Sequence, residues 1–271
     1  MDVSARAAGC QLRKLADISG LSSLTNETLR HVLSVEMKLH RIPSDLSITT
    51  AKFFPARWAH GEAQYSPIQM SLQHYLSPVV LRNWSIADTV DSRSISEYKT
   101  LHDNYHVLLH ACEENCIPEI RNILARMVSE VTGRASFIRT GRVQIQSHDR
   151  SSSVELPSGN IVHQQFNKIA EYLGRPDSQM PIIRATLLLT SILNIHPFAD
   201  GNGRLSRMLF NFEMKRARTN LVGYIPIFSA MRHSRGGYEV RLRQAEIFNK
   251  WDPLVHYFCR VIDIAASEFK S

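Results

Sequence analysis

The sequence predicts a mainly α-helical protein, a bundle around one central buried helix with a single small β-hairpin set into it. Three observations carry this expectation. Apolar residues recur at the helical period through most of the chain after Glu97. Pro181 to Ile195 is apolar nearly all round, the pattern of a helix covered on every side. Strict alternation occurs in one place, Arg142-Val143-Gln144-Ile145-Gln146, answered beyond a polar turn by Val154, Glu155 and Leu156. With 271 residues, 44% of them hydrophobic, the chain can bury a substantial core in one or two domains.

Taken in order, Ser23 to Leu39 reads as a helix opened by a Ser/Thr cap, and Ile42 to Arg57 is turn-rich with two prolines. The polar stretch Ser85 to Ser96 is the expected boundary, giving an N-terminal region, 1–95, helical in character and without an assigned role, and a second domain, 96–271. Glu97 to Cys112 and Pro118 to Val131 are helical. The hairpin of Val143, Gln144, Ile145 and Val154, Glu155, Leu156 follows. Two strands alone are marginal in water, so its free edge suits backbone pairing with an extended segment of another protein. Ile161 to Leu173 returns to the helical period, and Pro181 opens the buried helix at the first-turn position that tolerates proline.

A formal charge of +7 and a pI near 9.4 make polyanions plausible partners. Lys215, Arg216, Arg218, Arg232, Arg235, Arg241 and Arg243 are opposed only by Glu239 between Met214 and Gln244, which reads first as a solvated basic face and second as a nucleic-acid surface. No stretch approaches the roughly 20 apolar residues of a membrane span, and no apolar run of signal-peptide type appears near Met1. Four scattered cysteines show no disulfide framework. The expected location is cytoplasmic, with a secreted effector as the open alternative. Oligomeric state is open, a homo-oligomer included.

The chemistry concentrates after the buried helix, in Ile195-His196-Pro197-Phe198-Ala199-Asp200-Gly201-Asn202-Gly203-Arg204-Leu205-Ser206-Arg207. Pro197 makes a continuous helix through this stretch costly, and Leu205, Met208, Leu209 and Phe212, at i, i+3, i+4 and i+7, begin a new amphipathic one. Gly201 and Gly203 let a ligand approach the backbone while the new helix presents unpaired N–H groups, which together make an anion cradle. Arg204 and Arg207 sit where positive charge opposes the helix dipole by about 0.3–1 kcal/mol each, so something negative should compensate. Asp200 suits an ion pair, a cap or a Mg²⁺ ligand working with substrate phosphates. His196 can take a proton near neutral pH.

These residues match the defining pattern of the Fic family, HPFx[D/E]GNGRxxR, at every fixed position, and the chain is identified by resemblance as a member. The likeness extends to the hairpin, which resembles the family's target-docking flap, and to Tyr238 with Trp251 to Phe258, which resemble its C-terminal helices. It covers about residues 97–263. The resemblance implies a helical fold and a protein adenylyltransferase that moves AMP from ATP to a Ser, Thr or Tyr hydroxyl of a target protein and releases pyrophosphate. It makes His196 the general base and Asp200 the holder of Mg²⁺. Asn202 and the backbone of Gly201 and Gly203 would take the α-phosphate, and Arg204 and Arg207 the β- and γ-phosphates. Related proteins move UMP, phosphate or phosphocholine, or remove AMP.

Many members are inhibited by a helix bearing [S/T]xxxE[G/N]. The nearest match is Ser23-Leu24-Thr25-Asn26-Glu27-Thr28, which makes Glu27 the candidate inhibitory residue, with Thr28 where the pattern has Gly or Asn. The spacing of Gly133 to Arg139 before the flap is looser than the family's. Two rival readings come from other classes. His102, His106, His110, Cys112 and Cys116 repeat at i, i+4 spacing suited to zinc, though Leu101, Tyr105, Leu108 and Leu109 interleave as ordinary core positions. A nucleic-acid module would use the basic segment after Met214, and ranks below the enzyme.

Overall fold

Helix ends fall where capping chemistry puts them. In the computed structural model of the chain, which describes residues 24–39, 92–146, 153–175, 180–217, 224–225, 227–234 and 236–268, α1 (Asn26–Glu36) starts where the Thr25 side chain accepts a hydrogen bond from the Thr28 N–H. Helix α2 (Ser92–Glu113) hands over at Asn115 to α3 (Ile117–Thr132), which carries Pro118 in its first turn and stops at Gly133 with φ 67°. Strands β1 (Gln144–Gln146) and β2 (Ser153–Glu155) pair antiparallel, Ile145 opposite Val154. Then come α4 (Gly159–Gly174), α5 (Pro181–Ile195), α6 (Asn202–Ala217), α7 (Ile227–His233), α8 (Gly237–Phe248) and α9 (Asp252–Glu268). The described residues are thus mainly helical, as expected. The turn-rich segment 42–57 and most of 1–95 lie outside them, and the division expected at 95 falls inside α2.

Two compact units interleave along the chain. The first draws on described residues within Lys99–Ser178 and Leu187–Leu209, the second on those within Ser22–Tyr98, Gln179–Thr186 and Phe210–Ser271. In the first, the apolar stripe of α3 (Ile120, Ile123, Leu124, Met127, Val128) faces α4, whose Val162, Phe166, Ile169 and Leu173 are fully buried. Each such side chain contributes about 1.5–3 kcal/mol of burial free energy. Gly159, the first residue of α4, lies so close to the backbone of Thr140 that a Cβ would stand 2.1 Å from its carbonyl oxygen, which anchors the loop ahead of the hairpin to α4. On α2 the helical period separates buried Leu101, Tyr105, Leu108 and Cys112 from exposed His102, His106 and His110. Among the described residues no three His, Cys, Asp or Glu side chains converge on a metal position.

In the second unit α9 packs against α1 and α8. The Phe210 and Phe258 rings pack tilted with centroids 4.7 Å apart, and Tyr224 donates a 2.7 Å hydrogen bond to Glu97. The apolar helix α5 carries one buried cation, Arg184, whose Nε donates to Glu213 at 2.9 Å. The basic segment is less solvated than its sequence suggests. Arg216 pairs with Glu213, Arg243 with Glu246, and Arg241 donates to the Gly237 carbonyl while lying over the Tyr257 ring. No helix of the described residues is long and apolar enough to cross a membrane.

Candidate active site

The loop between α5 and α6 is built inside the first unit. Helix α5 ends when the His196 N–H bonds to the Ile192 carbonyl at 2.9 Å, and His196 itself takes the left-handed conformation, φ 49°, which turns the chain toward Pro197. Phe198 is fully buried, edge-on to Phe166 at 5.5 Å, so the loop is pinned to α4 by its apolar residue. Asn202 closes the turn. Its Oδ1 accepts from the Phe198 N–H at 2.9 Å and its Nδ2 donates to the Phe198 carbonyl at 2.7 Å. The amide side chain therefore shapes the loop, and its backbone N–H lies in the first turn of α6.

Gly201 is a glycine for two reasons. Its φ of 85° is strained for any L side chain, and an added Cβ would lie 2.8 Å from Val128 Cγ1 and 2.9 Å from Thr132 Cγ2. The Gly201 carbonyl accepts the first helical bond of α6, from the Leu205 N–H at 2.8 Å. The N–H groups ahead of Leu205 have no partner within the helix. Asp200, exposed, accepts from the Gly201 N–H at 2.6 Å through Oδ1 and faces Arg204 Nη2 at 3.1 Å through Oδ2. Arg204 also donates to the Val131 carbonyl at the C-terminal end of α3. The charge that opposes the α6 dipole is thus balanced by a carboxylate and by the negative end of another helix. Arg207 is buried, 6% exposed, and its guanidinium sits 3.3 Å from where a Gly203 Cβ would project.

The His196 ring is half-buried. Burial holds its pKa below the ordinary histidine value of 6.5; the Leu193 carbonyl and Asp200 pull upward, and the Arg139 charge adds to the lowering. Nδ1 of the ring is buried with no hydrogen-bond partner among the described residues. Sequence reasoning missed Arg139. Its backbone N–H donates to the Pro197 carbonyl, and its guanidinium reaches the carbonyls of His196, Ile195 and Gly141. The looser spacing of residues 133–139 is where it enters the loop's support.

Residues 116–214 match the Fic/DOC family. The chain is 30% identical over 134 residues to a protein named protein adenylyltransferase Fic from Nematostella vectensis, and 27% identical over 139 residues to protein adenylyltransferase fic-1 of Caenorhabditis elegans. These alignments cover 49% and 51% of this chain but only 29% and 26% of the relatives, so the chain spans less than a third of their length. Two solved structures share the fold. One is Fic-1, residues 134–508, from C. elegans, with TM-score 0.52, 19% identity, and coverage of 90% of this chain and 70% of that one. The other is a Fic family protein from Desulfovibrio desulfuricans G20, with TM-score 0.51, 17% identity, and coverage of 94% and 71%.

Residues 116–214 carry a Fic domain. The Fic loop brings His196, Asp200, Gly201, Asn202, Gly203, Arg204 and Arg207 into one short turn and the start of one helix. The flap residues Gln144 and Ile145 lie on β1, Val154 and Glu155 on β2, and Val143 and Leu156 close the pair from outside, the Leu156 N–H donating to the Val143 carbonyl at 2.9 Å. Glu27 is exposed in the first turn of α1, in the second unit. Thr28, the residue that departs from the Fic inhibitory pattern, is fully buried, and its hydroxyl donates to Asp252 at 2.5 Å. A Gly there would lose that link between α1 and α9.

Proposed function

We propose that this Fic domain transfers AMP from ATP to the hydroxyl of a Ser, Thr or Tyr side chain on a target protein. The observation that carries the reading is the Fic loop itself: a histidine held toward its neutral form four residues from an exposed carboxylate, at the mouth of a glycine-built helix start with two arginines. The names of the relatives support the choice of AMP. His196 is the general base. The target hydroxyl attacks the α-phosphorus and gives its proton to the ring, through Nε2 because Nδ1 is buried. The bond from the α-phosphorus to the bridging oxygen breaks, and pyrophosphate leaves with the electron pair.

The N–H groups at the start of α6 hold the α-phosphate, and Arg204 and Arg207 the β- and γ-phosphates, stabilising charge where it develops. On binding, phosphate replaces Asp200 as a partner of Arg204. The donor set fits Mg²⁺ in the form such sites commonly take, one exposed carboxylate with the remaining oxygens from phosphates and water. Asp200 would hold the ion, which would supply positive charge against the phosphates. An edge of the two-stranded flap takes an extended segment of the target by main-chain pairing, and Glu27 restrains activity, so that Glu27→Gly raises transfer.

The test is incubation of the protein and a lysate with Mg²⁺ and ATP labelled at the α- or, separately, the γ-phosphate, beside His196→Ala. Protein-bound α-label that requires His196 is the expected result. γ-Label alone would replace AMP by phosphate as the group moved. No label from either, in wild type and in Glu27→Gly alike, would overturn ATP as donor and turn attention to UTP, CDP-choline or AMP removal.

A further inference from the structure

Arg139 is 7% exposed, and among the described residues no carboxylate pairs with it. Its partners are all main-chain carbonyls. Nε donates to His196 at 2.7 Å, Nη2 to Ile195 at 3.1 Å and Nη1 to Gly141 at 2.8 Å. Its own N–H donates to Pro197 at 2.9 Å. Two of the carbonyls are those that α5 leaves unpaired at its C-terminal end, where a cation is favoured by the helix dipole. Capping a helix end does not by itself require a buried guanidinium, since water or an exposed lysine serves. What the planar five-donor fork adds is simultaneous, directional hold on three separate carbonyls.

Those carbonyls bracket His196. The residue's left-handed backbone, φ 49°, is held by its own N–H on Ile192, by its carbonyl on Arg139, and by the next carbonyl, Pro197, on the Arg139 N–H. Through Gly141 the same guanidinium reaches the chain two residues before Val143, where the hairpin begins. We infer that Arg139 is a positioning residue for His196, fixing the backbone that carries the base and tying it to the root of the flap so that base and docking edge keep one geometry. This rests on the reading of His196 as the base. The ring also feels the Arg139 charge, which opposes its protonation, against Asp200 and the Leu193 carbonyl, which favour it.

The experiment compares wild type, Arg139→Lys and Arg139→Gln in three readouts: ATP affinity in the presence of Mg²⁺, transfer of α-label from ATP, and the ring signals of His196 in ¹⁵N-histidine NMR across pH. Lysine keeps the charge but cannot span three carbonyls. In that variant ATP affinity should stay within about twofold while kcat falls on the order of 10- to 100-fold, as misplacement of a reacting group by an ångström does. In Arg139→Gln the His196 titration should also move to higher pH. A folded Arg139→Lys with wild-type kcat and unmoved His196 signals would overturn the inference, and so would loss of fold in both variants, which would make Arg139 purely structural. If neither wild type nor Glu27→Gly transfers label, AMP transfer fails, while the NMR arm still reports whether Arg139 sets the His196 ring.

Discussion

Nδ1 of His31 lies 2.8 Å from Nδ1 of His256, joining α1 to α9 across 225 residues of sequence. Only one of the two nitrogens can carry the proton between them. Thr28 Oγ1 gives its own proton to Asp252 and therefore accepts from His256 Nε2–H at 2.9 Å, which makes His256 Nδ1 the acceptor and His31 the donor. A second proton on His256 would point at the His31 N–H. His31 is held on its other side by Asp263 at 3.4 Å, which also pairs with Lys38 at 2.7 Å.

The pair predicts acid weakening of the α1–α9 contact. Burial and the neighbouring His31 hold His256 below the ordinary value of 6.5, outweighing Glu27 and Asp252, which raise it. A histidine depressed in the folded state binds fewer protons there than when unfolded, so its stabilisation is complete above the unfolded value and is lost as pH falls. His196 is shifted in the same direction, so wild type alone cannot separate the two. Thermal unfolding from about pH 8 to pH 5 should fall less steeply in His256→Gln than in wild type. Parallel curves would show that the pair does not titrate with folding.

His196 predicts both a rate and a pH limb. Replacing it by alanine should cost on the order of 10²–10⁴ in transfer rate, as loss of a general base does, with little change in melting temperature because the ring is only half-buried. Since burial places its pKa below 6.5, the neutral ring dominates at that pH, and the wild-type rate there should exceed half its plateau. A profile whose acid limb is centred above 6.5 would mean that another group is titrating.

How much of this could be read beforehand follows the range of the interactions. Helix α5 has the bounds its apolar run predicted, Pro181–Ile195, because composition and proline placement are local. The Fic loop was legible for the same reason: the Asn202 clasp on Phe198 spans four residues, and so does the Asp200–Arg204 pair. His102, His106 and His110 share a helix face by the same local geometry. Arg139 could not be found that way, since its bond to His196 crosses 57 residues, and nothing in Phe137-Ile138-Arg139-Thr140 marks the arginine as buried. Thr28 looked like a motif mismatch until its long-range bond to Asp252 supplied the reason.

Gly201 should tolerate no side chain. Alanine at φ 85° costs roughly 1–2 kcal/mol in backbone strain alone, and its methyl would overlap Val128 and Thr132, two rigid β-branched side chains on α3. The loop must shift away from α3 to make room, taking Asp200 and the start of α6 with it. Gly201→Ala should therefore weaken Mg²⁺–ATP binding as well as stability, both measurable without the target protein. A variant with lowered melting temperature but undiminished nucleotide affinity would separate the close packing from the anion cradle.

The Arg184–Glu213 pair sets a different kind of test, because both side chains are about 5% exposed or less. Hydrogen bonds of 2.9 and 3.4 Å between them offset part of the desolvation cost of burying both groups. Removing one partner takes the direct counter-charge from a buried ion, so Arg184→Ala or Glu213→Ala should lose stability, by up to about 3–5 kcal/mol of unfolding free energy. Glu213 also faces Arg216 at 3.5 Å, but Arg216 is more exposed and can turn to water. Replacing both buried residues by apolar ones of similar volume, Arg184→Met with Glu213→Leu, should recover most of the loss, since neither desolvation penalty then remains. If the double replacement is no more stable than the single ones, the pair fixes the register of α5 against α6 rather than merely cancelling two charges.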